Sequence, residues 1–115
     1  MTWDVEVSDE FIEWYDSLNE AEGVSVDSTV DMLVEYGPSL GRPYVDTLNG
    51  SAYPNMKELR VQHRGRPYRI LFAFDPARNA YLILGGDKTG RQDWYLEAIR
   101  RADAIYAQHL KEIGE

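Results

Sequence analysis

Five basic side chains, Lys57, Arg60, Arg64, Arg66 and Arg69, crowd into thirteen residues that hold one acid, Glu58. Around Arg60, the apolar residues Leu59 and Val61 alternate with Glu58, Arg60 and Gln62. Around Arg69, Tyr68, Ile70, Phe72 and Phe74 alternate with Arg69, Leu71, Ala73 and Asp75. This is the period of a strand with one face buried. A short turn at Arg64-Gly65 would lay Arg60 and Arg69 on one exposed sheet face, bordered by Lys57, Arg64, Arg66 and Lys88. Guanidinium forks match phosphate oxygens in pairs, and a lysine adds a mobile charge. Such a face suits a nucleic-acid backbone and the dianionic phosphorane that forms when a 2′-hydroxyl attacks its own phosphate. The alternative is a solvated face with ion pairs to Glu58 and Asp87.

His63, Tyr68 and Tyr95 are weaker candidates. A histidine beside a basic patch can move a proton, although a histidine at a strand end is more often a plain surface residue. His109 has the spacing of a structural helix residue. The two histidines are far apart in sequence and make no metal motif. The run from Gly85 to Gly90 superficially resembles a phosphate loop, but it lacks the required Gly-Lys-Ser/Thr order at the mouth of a helix. Nucleotide hydrolysis is therefore set aside.

These residues need elements to hold them. Trp3 to Val7 alternates apolar and acidic residues, as a strand does. Ser8 reads as a helix cap, and Phe11, Trp14, Tyr15 and Leu18 give the following helix its apolar stripe. Ser25 or Asp27 would cap a second helix carrying Val26, Val30, Leu33 and Val34, stopped by Gly37-Pro38. Residues 37–55 read as a loop. Three strands follow: 57–63, 68–75 and 80–86, the last apolar enough to be buried on both faces. Asp93 would cap a final helix in which Tyr95, Ala98, Ile99, Ala102, Ile105, Tyr106, His109 and Ile113 recur at helical spacing, closed by Gly114. The order β-α-α-β-β-β-α predicts an α+β fold with a small antiparallel sheet, mixed at its N-terminal strand.

With 115 residues, 43% of them hydrophobic, the chain predicts one domain over 1–115. It has no cysteine, which excludes disulfides and Cys-ligated metals. No apolar run is long enough to span a membrane, and the acidic N-terminus has no signal-peptide pattern, so a cytoplasmic protein is expected. The net charge of −8 argues against nucleic acid only as an average. Residues 1–41 hold eleven carboxylates and no Lys or Arg, whereas residues 42–115 hold twelve basic residues and nine acids.

The string Leu59-Arg60, Tyr68-Arg69-Ile70-Leu71-Phe72 and Gly86-Asp87-Lys88-Thr89, followed by a C-terminal helix, resembles the phage-derived HigB-like branch of the RelE/ParE toxin superfamily. Tyr36 to Pro43 and Leu48-Asn49-Gly50-Ser51 match the linker of that branch, except that Asn49 stands where it usually carries a lysine. The likeness covers about residues 3–113. It implies a RelE-like fold and the toxin of a type II toxin–antitoxin module. Such a toxin is an endoribonuclease that cuts mRNA, commonly on the ribosome, with no metal and no cofactor. It also implies a cognate antitoxin, often with a helix-turn-helix DNA-binding domain. By the same resemblance Arg69 and Lys88 match active-site positions, and Arg60 and Lys57 match basic positions on the preceding strand. Arg60, Arg69 and Lys88 are the expected catalytic set, and Lys57, His63, Arg64, Arg66, Tyr68 and Tyr95 the expected RNA-binding set. The alternatives are a binding module without catalysis, a weakened toxin that docks an antitoxin, and a gyrase-targeting toxin of the ParE type.

Overall fold

The computed structural model describes residues 2–91 and 93–115. A five-stranded sheet has the order β1-β5-β4-β3-β2, formed by β1 (Asp4–Val7), β2 (Val45–Thr47), β3 (Lys57–His63), β4 (Arg66–Phe74) and β5 (Asn79–Asp87). β1 runs parallel to β5, and the other pairings are antiparallel. Helices α1 (Asp9–Asp16) and α2 (Glu20–Tyr36) cover one face. Helix α3 (Trp94–Glu112) covers part of the other. The α+β architecture and the expected order are borne out, with one short strand added.

Alternation along β3 and β4 splits the core in two. Leu59, Val61, Tyr68, Ile70 and Phe72 pack with Phe11, Val26 and Leu33 under α1 and α2. Leu71, Ala73, Ile83 and Leu84 pack with Trp94, Ala98, Ala102 and Tyr106 of α3. A register shift in the β4–β5 ladder at Leu71/Phe72 accompanies two successive β5 residues, Ile83 and Leu84, in the α3 cluster. β5 lies between β1 and β4, which accounts for its unbroken apolar run.

Ser8 caps α1 as expected, its hydroxyl accepting the Phe11 N–H at 2.9 Å. The start of α2 differs from expectation. Its cap is Asn19, in a reciprocal capping box with Glu22, so the helix begins well before Ser25 and Asp27. The first turn is polar and held by the cap, so apolar periodicity does not reveal it. The stretch 37–55 is not all loop. It contains a turn of 3-10 helix (Gly37–Ser39) and the edge strand β2, whose three residues are too few to show alternation. Asp93 precedes α3, but its side chain makes no capping bond among the described residues. No described helix is long and apolar enough to cross a membrane.

Candidate active site

The β3–β4 turn sets the geometry. Arg64 and Gly65 both have positive φ, 51° and 77°, the conformation of a tight two-residue hairpin. That register puts Arg60 directly opposite Arg69. On the other side of β3, Asp46 of β2 lies directly opposite Glu58. Like charges facing each other across a ladder repel, so two opposed arginines beside two opposed carboxylates are stable only by interleaving. They do so here. Arg60 Nη2 lies 3.3 Å from Asp46 Oδ2 and 3.3 Å from Glu58 Oε2. Arg69 Nε lies 3.2 Å from Glu58 Oε1, and Arg69 Nη1 donates to the Tyr68 carbonyl at 3.0 Å.

This cluster is not the open sheet face that alternation suggested. Arg69 is 8% exposed and Glu58 is 5% exposed, because the start of α3 overhangs them. Trp94 packs on Gly86, where a Cβ would sit 2.8 Å from the indole. This contact places the next residue, Tyr95, over Glu58, to which its hydroxyl donates at 2.5 Å. Lys88 leaves β5 with its N–H bonded to the Pro67 carbonyl at 3.1 Å, and its ammonium lies 5.1 Å from the centre of the Tyr95 ring. Burial, and then the charge of Arg69, lower the Lys88 pKa below the usual 10.5. Burial and the bond to Glu58 raise that of Tyr95.

Four cations (Arg42, Arg60, Arg69, Lys88) meet two carboxylates (Asp46, Glu58), Arg42 Nη2 lying 3.0 Å from Asp46 Oδ2, which leaves two positive charges in excess. The Nε atoms of Arg60 and Arg69 are both buried without a hydrogen-bond partner among the described residues. For Arg69 the nearby Glu58 oxygen is close in distance but out of line for the N–H. Buried donors left open are costly, and these two sit on guanidiniums at a site with unbalanced positive charge. The Arg60 side chain is 35% exposed, so the cluster opens to solvent on its side. Tyr95 also lines a hollow of about 500 Å³, with Asn49, Gly50 and Leu96 among others. A polyanion could lie along this line, with a phosphate on the two arginines.

The other candidates are not brought together with this cluster. Lys57 and His63 share the α1/α2 face of β3, as their register with Phe72 and Arg66 requires. His63 Nδ1 is 2.8 Å from the Ser25 hydroxyl of α2. Tyr68 is 1% exposed, and its hydroxyl is bonded to Glu22. Burial, and then that bond, push its pKa up to about 12. Arg66 is paired with Asp87 and lies 3.7 Å from Glu22. Arg64 is exposed in the turn. His63, Arg66 and Tyr68 thus join α2 to the sheet, on the side away from Arg60 and Arg69. Glu58 was expected only as a counter-charge, beside Asp87, and Asp46 was not expected at the site at all. Glu58 was findable, two residues from Arg60 on the same strand face, whereas Asp46 depends on the unseen strand β2.

A separate groove of about 470 Å³ lies among β1, α1 and α2, lined by Val5, Val7, Phe11, Ile12, Val26 and Val30 and edged by Asp27 and Asp31.

Comparison with known proteins gives this geometry its context. Residues 13–107 match the family profile described as phage-derived protein Gp49-like. The chain is 45% identical over 104 residues to HigB2 of Mycobacterium tuberculosis, described as a candidate toxin, over 89% of this chain and 52% of that protein. It therefore spans about half the length of HigB2. It is 52% identical over 91 residues to HigB3 of the same organism, also described as a candidate toxin, covering 78% of each. Its fold matches a doubly substituted form of the Escherichia coli toxin RelE in the free state, with TM-score 0.62 and 15% identity, over 88% of this chain and 98% of that one. It also matches an archaeal RelE–RelB complex from Pyrococcus horikoshii, with TM-score 0.56 and 22% identity, over 79% of this chain and 99% of that one. The breadth of the profile match and the HigB relatives lead to one conclusion: the chain, which carries a RelE-like fold, belongs to the phage-derived Gp49-like family and is HigB-like.

Proposed function

We propose that this protein is the toxin of a type II toxin–antitoxin module and acts as an mRNA endoribonuclease, on mRNA held by the ribosome. The observation that carries the reading is the pairing of Arg60 and Arg69 across the β3–β4 ladder with both Nε donors open. A bound phosphate competes with Asp46 for Arg60 and takes up the open donors. As the 2′-hydroxyl attacks phosphorus and the 5′-oxygen departs, the two guanidiniums stabilise the added charge of the phosphorane. Glu58 holds both arginines and is the group assigned to receive the 2′-hydroxyl proton, directly or through Tyr95. Lys88, with its lowered pKa, donates a proton to the leaving 5′-oxygen. All the positive charge in this scheme comes from side chains, so cleavage is expected to proceed in EDTA. The acidic N-terminal third would repel RNA and confine it to the cleft side.

The partner in this reading is a cognate antitoxin, with a helix-turn-helix domain for its own operator, as RelE of P. horikoshii is solved with RelB. The apolar groove edged by Asp27 and Asp31 suits a segment of that antitoxin with one apolar and one basic face.

The test is mapping of mRNA 5′ ends after induced expression of the wild type, Arg60→Ala and Lys88→Met. The wild type should arrest growth and create new 5′ ends. Each variant should lose cleavage by about 10²–10³-fold, the usual effect of removing one transition-state donor. Intact mRNA after wild-type induction, or variants that cut as well as the wild type, would sink the reading.

A further inference from the structure

A second cluster lies at the far end of β4 from the arginines. Glu6 of β1, Asp75 just after β4 and His109 of α3 each bring one ligand-type atom within 4.8 Å of the others. Asp75 and His109 are each 5% exposed. Both are held in place. Asp75 Oδ1 accepts the Asn79 N–H at 2.9 Å, and Asp75 Oδ2 is 2.7 Å from His109 Nε2. The His109 ring stacks on Tyr81 at 3.6 Å between centroids, and Tyr81 is the β5 residue in register with Glu6.

The space above this group is a pocket of about 330 Å³. Its lining includes Glu6, Asp9, Glu10, His109 and Glu112 and, among the described residues, no Lys or Arg. Asp75 adds a fifth carboxylate next to His109. The negative field is felt by the pocket's own tyrosine: burial, and then Glu10, Glu112, Asp9 and Glu6, push Tyr81 up to about 12. A buried imidazole fixed by a carboxylate, with one exposed carboxylate free to swing and no competing base, is a mixed nitrogen–oxygen donor set. Zinc and its first-row neighbours favour such sets, whereas magnesium and calcium prefer oxygen alone.

We propose that Glu6, Asp75 and His109 form a binding site for a divalent first-row transition metal of the zinc type, which clasps β1, the β4–β5 turn and α3 together. Binding replaces the His109 Nε2–Asp75 Oδ2 hydrogen bond, the Nε2 proton moving to Nδ1 or, from an imidazolium, to solvent, and Glu6, the exposed member, turns inward to complete the set. Ligand atoms around a tetrahedral zinc lie about 3.3 Å apart, so the His109–Asp75 contact opens slightly while the Glu6 arm closes. Arg69 lies six residues before Asp75 on β4, about 20 Å away at strand rise. The clasp is therefore independent of the proposed RNA cleft.

The test uses the full chain, stripped with EDTA and desalted. Zn²⁺ should bind one per chain and raise the melting temperature, with Mg²⁺ at the same concentration having no such effect. Co²⁺ should give a visible absorption band. Glu6→Gln changes an exposed residue, so the fold should survive while Zn²⁺ affinity falls by about tenfold or more, since even loss of an outer-shell partner costs that much. His109→Gln should abolish both the band and the thermal shift, judged against its own EDTA baseline. RNA cleavage by the wild type should be the same with and without EDTA, so the clasp and the nuclease reading fail separately. The proposal is overturned if no stoichiometric Zn²⁺ binds, or if both variants bind it as the wild type does. In either case His109 and Asp75 form a proton-bridged pair and nothing more.

Discussion

Lys88 holds its charge against three influences, burial and the guanidiniums of Arg69 and Arg60. A lysine pKa lowered in the folded chain means that the ammonium form is lost at a lower pH than in the unfolded chain. As the proposed proton donor, Lys88 is active when protonated, so cleavage should fall as pH rises through a value below 10.5. Lys88→Arg keeps the charge and removes this titration. Its cleavage should be slower, because a guanidinium does not release its proton, and should lack the alkaline fall. Single-turnover cleavage of a short RNA across pH, corrected for hydrolysis without protein, checks this. A lysine variant and wild type with the same alkaline limb would exclude the role. At this scale the sequence was informative for Arg60, Arg69 and Lys88, which the fold does bring together. It was less so for His63 and Tyr68. Strand alternation had already put both on the side of Leu59 and Ile70, and there they bond to α2.

The pair Gly85-Gly86 is the clearest case of sequence serving an element. On one side of β5, Trp14 of α1 lies so close that a Cβ on Gly85 would come within 2.1 Å of its ring. On the other side, Trp94 of α3 occupies the same kind of space over Gly86. Two glycines thus let helices approach both faces of one strand, and the second approach sets Tyr95 over Glu58. Gly85→Ala should force Trp14 outward and destabilise the protein by about 1–3 kcal/mol, the usual cost of overpacking. Gly41→Ala has nothing within 4 Å of its new methyl and serves as the control, with a change of at most about 0.5 kcal/mol. Urea midpoints for the two variants measure the difference. Equal midpoints would mean that the helix packs there without strain. In the sequence these glycines look like a phosphate loop or a strand end, because nothing local says that two tryptophans, 71 and 8 residues away, will lie against them.

The whole molecule separates its charges. α1 and α2, which carry most of the acids of the first 41 residues, lie on one face of the sheet, and the Arg60–Arg69–Lys88 cleft opens on the other. In the reading given above, RNA and antitoxin therefore meet different faces. Ile12 is 43% exposed and lines the apolar groove. Ile12→Asp should leave the fold and RNA cleavage unchanged but weaken the antitoxin by about 2 kcal/mol or more, the loss expected of a central apolar contact. Co-purification with a candidate antitoxin from a neighbouring gene, together with rescue of growth, tests this. Full neutralisation of Ile12→Asp would place the antitoxin elsewhere.

The sequence by itself determined the element types, the two-sided strand pattern, the cap of α1, the tight Arg64-Gly65 turn and the segregation of charge. These follow from nearest neighbours in the chain, where period, capping and turn chemistry operate. Only the tertiary structure decided that β2 exists and brings Asp46 to Arg60. It also decided that α3 overhangs Arg69 and Glu58, and that Glu6, Asp75 and His109 converge. Each of these depends on contacts between residues far apart in the chain. Such contacts leave no local trace, because their free energy is gained only when the sheet has closed and the helices have docked.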